Sequence, residues 1–264
     1  MSQVPVLIAC RDRLTPLVGL VEWLERAGCQ RIVLVDNDSA FEPLLQYYKD
    51  TPHTVIKLGR NIGPQSFWAA GVVEEHAGNS RYVVTDPDLL PTSDCPSDAL
   101  ERFDELLDRY PERQKAGFGL KIDDLPAWYK HTNMVRLWEQ QFWRRELEPG
   151  VFDADIDTTF ALYRAEVASF GYGPALRTGA PYMARHTPWY SDSSRPTAED
   201  RFYHQRYLRE RQAEPGIRTT WNDRRVPRHV AVDLGLKRAR SDKPWARGVR
   251  FIRNGFRRTG YSGL

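Results

Sequence analysis

From its N-terminus the chain alternates short apolar runs with stretches of helical spacing. Val4–Cys10 (V-P-V-L-I-A-C), Arg31–Asp36 (R-I-V-L-V-D), His53–Gly59 (H-T-V-I-K-L-G) and Arg81–Thr85 (R-Y-V-V-T) are compact and rich in β-branched residues. All four read as strands, the first, second and fourth as buried ones. After the first run, Leu17, Leu20, Val21 and Leu24 recur at helical spacing, with Thr15 placed as a cap, Pro16 at the first helical position and Gly28 as a stop. A short helix is predicted over Pro43–Lys49 and another from about Gln65. Strands separated by helices predict right-handed βαβ units, hence an α/β domain with a mostly parallel sheet covered on both faces.

The second half is less regular. Ser97–Tyr110 is an amphipathic helix with Leu100, Phe103, Leu106, Leu107 and Tyr110 turned inward. Gly117–Pro126 reads as a strand turning at Asp123-Asp124, and Met134–Leu147 as an aromatic-rich helix. Thr158–Arg164 and Ala180–His186 read as strands, and Ala198–Arg211 as a helix. One domain over 1–234 is expected, with halves 1–95 and 96–234, followed by a separate segment 235–264.

Each of the first four strands ends in polar residues: Arg11-Asp12-Arg13, Asp36-Asn37-Asp38-Ser39, Arg60-Asn61 and Asp86-Pro87-Asp88. In open α/β sheets the carboxyl edge is where ligands bind. Asp86 and Asp88, two residues apart in an extended segment, project the same way. Two such carboxylates repel unless a proton or a cation stands between them. A metal, a shared proton and two plain loop aspartates are the three readings. Asp36–Ser39 also suits a helix cap, and Asn61–Pro64 an ordinary turn.

An apolar share of 41% over 264 residues leaves ample room for a core. Cys10, Cys29 and Cys95 have no metal-type spacing, and their odd number argues against a disulfide framework. The N-terminal apolar run is too short for a signal or a membrane span, so a cytoplasmic protein is expected. Net charge is only +3, yet 235–264 holds nine Lys or Arg against Asp242 alone. With Trp245, Phe251 and Phe256 interspersed, that segment suits anionic lipid headgroups at the inner face of a membrane. Nonspecific nucleic-acid contact and a solvated or subunit-contacting arm are its other readings, and nucleic acid is not the expected partner.

The segments V-P-V-L-I-A-C-R-D-R, I-V-L-V-D-N-D-S, L-G-R-N-I-G and Y-V-V-T-D-P-D-L-L-P, in that order, resemble the nucleotide-sugar half of GT-A-fold glycosyltransferases, nearest the family-two group. The likeness covers roughly the first hundred residues. It implies a GT-A-type sheet with a Rossmann-like half at 1–95 and an acceptor-side half at 96–234. It also implies that Asp86 and Asp88 hold Mn²⁺ or Mg²⁺ against the two phosphates of a nucleotide sugar, a UDP-sugar first. Asp36 would read base or ribose, with Arg11, Asp12, Arg13, Asn37, Asn61 and Gly63 lining the same pocket. His186 would be a further ligand favouring Mn²⁺. An inverting transfer to a glycan or lipid-linked acceptor, as in polysaccharide biosynthesis, needs a carboxylate base. Asp157 is the first candidate, then Glu199 and Asp124 (beside Asp123). Trp189 and Tyr190 suit stacking on a sugar. No glycine-rich dinucleotide or Walker loop is present. The alternatives are a sugar-phosphate nucleotidylyltransferase, although A-C-R-D-R-L-T-P lacks that class's early glycines, and a non-catalytic nucleotide-sugar- or nucleic-acid-binding protein.

Overall fold

The computed structural model describes residues 3–168, 173–192 and 194–213. The basic segment 235–264 lies outside the described residues. The four apolar runs become β1 (Val6–Cys10), β2 (Ile32–Asp36), β3 (Thr54–Lys57) and β4 (Tyr82–Thr85). Between them stand α1 (Thr15–Arg26), α2 (Glu42–Asp50), α3 (Ser66–Ala69) and α4 (Val72–Ala77). The chain continues through β5 (Leu89–Pro91), α5 (Ala99–Arg109), β6 (Lys115–Leu120), α6 (Thr132–Glu139) and β7 (Glu146–Glu148). Then come β8 (Val151–Asp153), β9 (Ala161–Tyr163), β10 (Ala175–His186) and α7 (Ala198–Ala213).

The strands form one mixed sheet in the order β3-β2-β1-β4-β9-β6-β10-β8-β7, and β5 pairs with β10. β1, β2, β3 and β4 are mutually parallel, as are β6 and β10. β9 runs antiparallel between β4 and β6, so the two parallel sets point the same way. The alternation of each strand fills both faces. Val6, Ile8, Cys10, Ile32 and Leu34 join one core with α1, α2 and α5 residues. Leu7, Val33, Val35 and Val84 join another with Phe67, Val72 and Val73. Truncating a buried leucine in such a core costs about 2–5 kcal/mol. The fold is α/β with helices on both faces, as the sequence pattern predicts. No helix among the described residues is long and apolar enough to cross a membrane.

Six local expectations need correction. Asp86 and Asp88 do not share an extended segment, because Pro87 and Asp88 form a turn between β4 and β5. The strand expected over Gly117–Pro126 is β6, which ends at Leu120. The helix predicted over Met134–Leu147 ends at Glu139, tightens into a 3-10 turn over Gln140–Trp143, and gives way to β7. The aromatic residues leave the helical face because they have other partners. Phe142 lies under the Arg177 guanidinium at 3.9 Å, and Trp143 covers Gly119, where a Cβ would sit 2.5 Å from the indole. The helix from Gln65 is broken in two by Gly71, at φ 72°. The strand expected over Thr158–Arg164 begins only at Ala161, which leaves Asp157 in the loop before it. Thr15 does not cap α1; Leu14 precedes the helix and a distant carboxylate, described below, supplies the cap.

Candidate functional site

Asp86 and Asp88 follow β4 at the sheet's carboxyl edge. β5 begins directly after them and pairs antiparallel with the end of β10, with His186 opposite Leu89. The Thr187 N–H donates to the Asp88 carbonyl at 2.9 Å, which fixes the crossing. A ladder formed by residues almost a hundred apart thus brings His186 Nε2 to 3.8 Å from Asp88 Oδ1, too long for a hydrogen bond. Both residues are buried, at 8% and 9% exposure; among the described residues Asp88 Oδ1 has no hydrogen-bond partner, nor does His186 Nδ1, which lies on the other side of the ring from the Nε2 that approaches Asp88. Buried polar atoms left unpaired are costly. Burial lowers the His186 pKa, against the opposing pull of Asp88 and Asp157, and keeps the imidazole in the neutral form that ligates metals. Trp189 packs edge-on against that ring at 4.8 Å and is itself 1% exposed. Its indole therefore braces His186 rather than offering a face to a sugar.

Asp86 accepts a hydrogen bond from the Thr158 hydroxyl at 2.5 Å. Burial raises its pKa well above the usual carboxylate range, Asp88 and Asp157 add to the rise, and Thr158 opposes it. A carboxyl in that state takes up a proton or waits for a cation. Among the described residues no three His, Cys, Asp or Glu side chains converge as a complete cation cage. Asp88 and His186, with Asp86 beside them, offer two or three donor groups at one place. A hard divalent cation commonly completes such a shell with phosphate and water oxygens.

The three carboxylates considered as bases have different surroundings. Asp157 is exposed, and its Oδ1 accepts the Thr159 N–H at 3.1 Å. It neighbours the Thr158 that holds Asp86, and its charge acts on both Asp86 and His186. Glu199 is buried and occupied: its Oε2 accepts the N–H groups of Leu14 and Thr15 at 2.9 Å each, and the Thr15 hydroxyl at 3.2 Å. It is the cap of α1. Asp124 takes hydrogen bonds from Arg185 and Tyr190. Burial pushes its pKa up, but Tyr190 and Arg185 outweigh that and hold it below the usual range, which makes it a weak base. Asp123 is exposed and paired with Lys121 at 2.8 Å.

The residues expected around the nucleotide meet at the ends of β1, β2 and β3, but several are engaged with one another. Asp36 accepts the Ser39 N–H and the Tyr48 hydroxyl, each at 3.1 Å. Asn37 stitches two loops together, donating to the Gly63 carbonyl at 3.2 Å and accepting the Ile62 N–H at 2.9 Å. Gly63, at φ 79°, takes the left-handed turn that Asn61 closes by accepting its N–H at 3.0 Å. Asp12 caps α2, accepting the N–H groups of Ala40 and Phe41 at 2.6 and 2.9 Å. Arg11 pairs with Glu210, and Arg13 with Asp200 at 2.8 Å while stacking on Tyr203.

No protein-family model matches this sequence, and no curated protein does. Solved structures share part of its shape. HddC from Yersinia pseudotuberculosis is 14% identical with a TM-score of 0.36, the match covering 67% of this chain and 74% of that one. A UDP-glucose pyrophosphorylase complexed with UDP-glucose is 16% identical with a TM-score of 0.36, covering 66% and 76%. A 4-diphosphocytidyl-2C-methyl-D-erythritol synthase is 14% identical with a TM-score of 0.39, covering 76% and 98%.

Sequence reasoning missed three contributors. Thr158 has no signal beyond its place next to Asp157. Arg206 bridges Asp12 at 3.0 Å and Asp38 at 2.6 Å. Its signal is a charged stripe: Glu199, Tyr203, Arg206 and Glu210 fall at helical spacing on the α7 face that meets the β1 and β2 loops. The third contributor is the buried pair Glu139–Arg177, which no local pattern announces.

Proposed function

We propose that this chain is a divalent-cation-dependent glycosyltransferase that uses a nucleotide-sugar donor, a UDP-sugar first. The supporting observation is the meeting of Asp88 Oδ1 and His186 Nε2 at 3.8 Å across the β5–β10 ladder, with that carboxylate oxygen buried and without a hydrogen-bond partner among the described residues. These residues fit Mn²⁺ or Mg²⁺, and the imidazole favours Mn²⁺. When bound, the cation offsets the charge of the leaving diphosphate. Arg13, whose charge acts on Asp88 and His186, adds a fixed positive charge at the same place. Asp157 is the base that takes the acceptor hydroxyl's proton in an inverting transfer: it is exposed, it carries no ion pair among the described residues, and Thr158 ties its loop to Asp86. The loops of Asp36, Asn37, Asn61 and Gly63 shape the nucleoside side. A glycan or lipid-linked acceptor is the class proposed, with 235–264 contacting an anionic membrane. The turn after β1, Arg11-Asp12-Arg13-Leu14, contains no glycine, which weighs against nucleotidylyl transfer.

The two chemistries are told apart by which bond breaks. The protein is incubated with Mn²⁺ and a panel of UDP-, GDP- and dTDP-sugars, with and without pyrophosphate. Release of nucleoside diphosphate that needs Mn²⁺ and is lost in Asp88→Ala is the expected result. Asp157→Asn should keep Mn²⁺·UDP affinity and lose turnover, since an amide cannot accept the proton. Nucleoside triphosphate formed from pyrophosphate would assign nucleotidylyl transfer instead. If no nucleotide sugar binds with or without metal, both enzymatic readings fall.

A further inference from the structure

Behind the loop that carries Asp157 lies a set of buried charges that the proposed chemistry does not use. Lys115 opens β6, Arg177 lies on β10 and Glu139 ends α6; their exposures are 1%, 3% and 3%. Arg177 Nη1 donates to Glu139 at 2.9 Å, and its Nε donates to the Asp155 carbonyl at 2.8 Å. Lys115 Nζ donates to the Tyr163 hydroxyl at 3.3 Å, which in turn donates to the Asp157 carbonyl at 3.4 Å. Two carbonyls of the loop are thus tied from behind, while Thr158 ties its front to Asp86. Burial drives the Lys115 pKa down to about 8 and the Glu139 pKa up to about 7, so neither charge is held cheaply. Apolar residues of similar volume would fill the same space at less cost in desolvation. What they could not do is hold a backbone carbonyl and a carboxylate with one rigid fork, which is the particular property of a guanidinium.

We infer that Arg177, oriented by Glu139, is a positioning residue that fixes the Asp155–Thr159 loop, and with it Asp157 and Thr158, and couples that loop to α6. The catalytic part of this inference rests on Asp157 being the base. Arg177→Lys keeps the charge but not the fork; Glu139→Gln keeps shape and an acceptor oxygen, and is the milder change should the first fold poorly. Both variants are compared with the full-length wild-type chain and Asp157→Asn by amide hydrogen exchange, by calorimetry of UDP with Mn²⁺, and by nucleoside diphosphate release.

Exchange of the 154–160 amides should rise about tenfold or more in both variants while β1 and β2 keep their protection. Mn²⁺·UDP affinity should stay within about threefold and kcat should fall by about tenfold or more, a split that general destabilisation does not produce. Wild-type loop exchange and kcat in Arg177→Lys would overturn the inference, as would faster exchange across the whole sheet in both variants. If Asp157→Asn turns over normally while the loop alone loosens in Arg177→Lys, the base assignment fails and the clamp stands.

Discussion

Asp86 shows most plainly how one residue's cost becomes a function. Burial, then the Asp88 and Asp157 charges, raise its pKa well above 3.8, and the Thr158 hydroxyl only partly offsets them. The folded chain therefore binds a proton that the unfolded chain releases. That contribution to stability is complete below the unfolded pKa and is lost as pH rises through the folded one. Asp86→Asn removes the titration and keeps the volume. Without metal at pH 7 it should raise Tm by a few degrees, with each kcal/mol worth about 2–4 °C in a domain of this size. The gain should shrink toward pH 4, and Mn²⁺ binding should weaken at the same time. Thermal unfolding at both pH values decides; a less stable Asp86→Asn at pH 7 would sink the account. Asp86 and Asp88 were legible in the sequence as a local pair, although they lie in the turn between β4 and β5 and not in the extended segment expected. Thr158 was not, because its partner lies 72 residues away.

At the scale of elements, legibility follows burial. β1, β2 and β4 are buried on both faces, so their apolar runs announce themselves. β9 was legible as part of Thr158–Arg164, but with only three residues and an antiparallel entry nothing marks its start or its direction. β10 was legible only from Ala180, because its register shifts between Thr178 and Met183 and interrupts the pattern. α7 carries almost no apolar face; charged and capping contacts to the β1 and β2 loops hold it. Glu199 at its start closes the N-terminus of α1, a position where a negative charge is favoured. Glu199→Gln should cost about 1 kcal/mol, and Glu199→Ala up to about 2 kcal/mol. Mn²⁺·UDP affinity should stay unchanged in both. Urea unfolding with parallel calorimetry checks this. Lost turnover at full stability in Glu199→Gln would return that carboxylate to the list of bases.

For the molecule as a whole, the site exists only when the chain is folded. Arg13, Asp88, Asp157 and His186 come from four segments that adjoin β1, β4 and β5, β9, and β10 of a single sheet. A ligand that binds this assembly has nothing comparable to bind in the unfolded chain, so binding must appear as stability. At a hundredfold excess over its Kd the gain is about 2.7 kcal/mol. For a domain of this size that is a rise in Tm of roughly 5–10 °C. The proposed function makes a sharper demand. In the proposed cation site Asp88 and His186 would leave most of the cation's shell to phosphate oxygens, so Mn²⁺ alone and UDP alone should each shift Tm little, and the two together should give the full rise. Mg²⁺ should replace Mn²⁺ less well, because an imidazole is the poorer ligand for it. Asp88→Ala should abolish the joint effect while keeping the fold. Thermal scans at fixed protein concentration, with each ligand alone and both together, test this directly. Additive small shifts, or an equal joint shift in Asp88→Ala, would mean that nucleotide and cation do not meet at the Asp88–His186 pair.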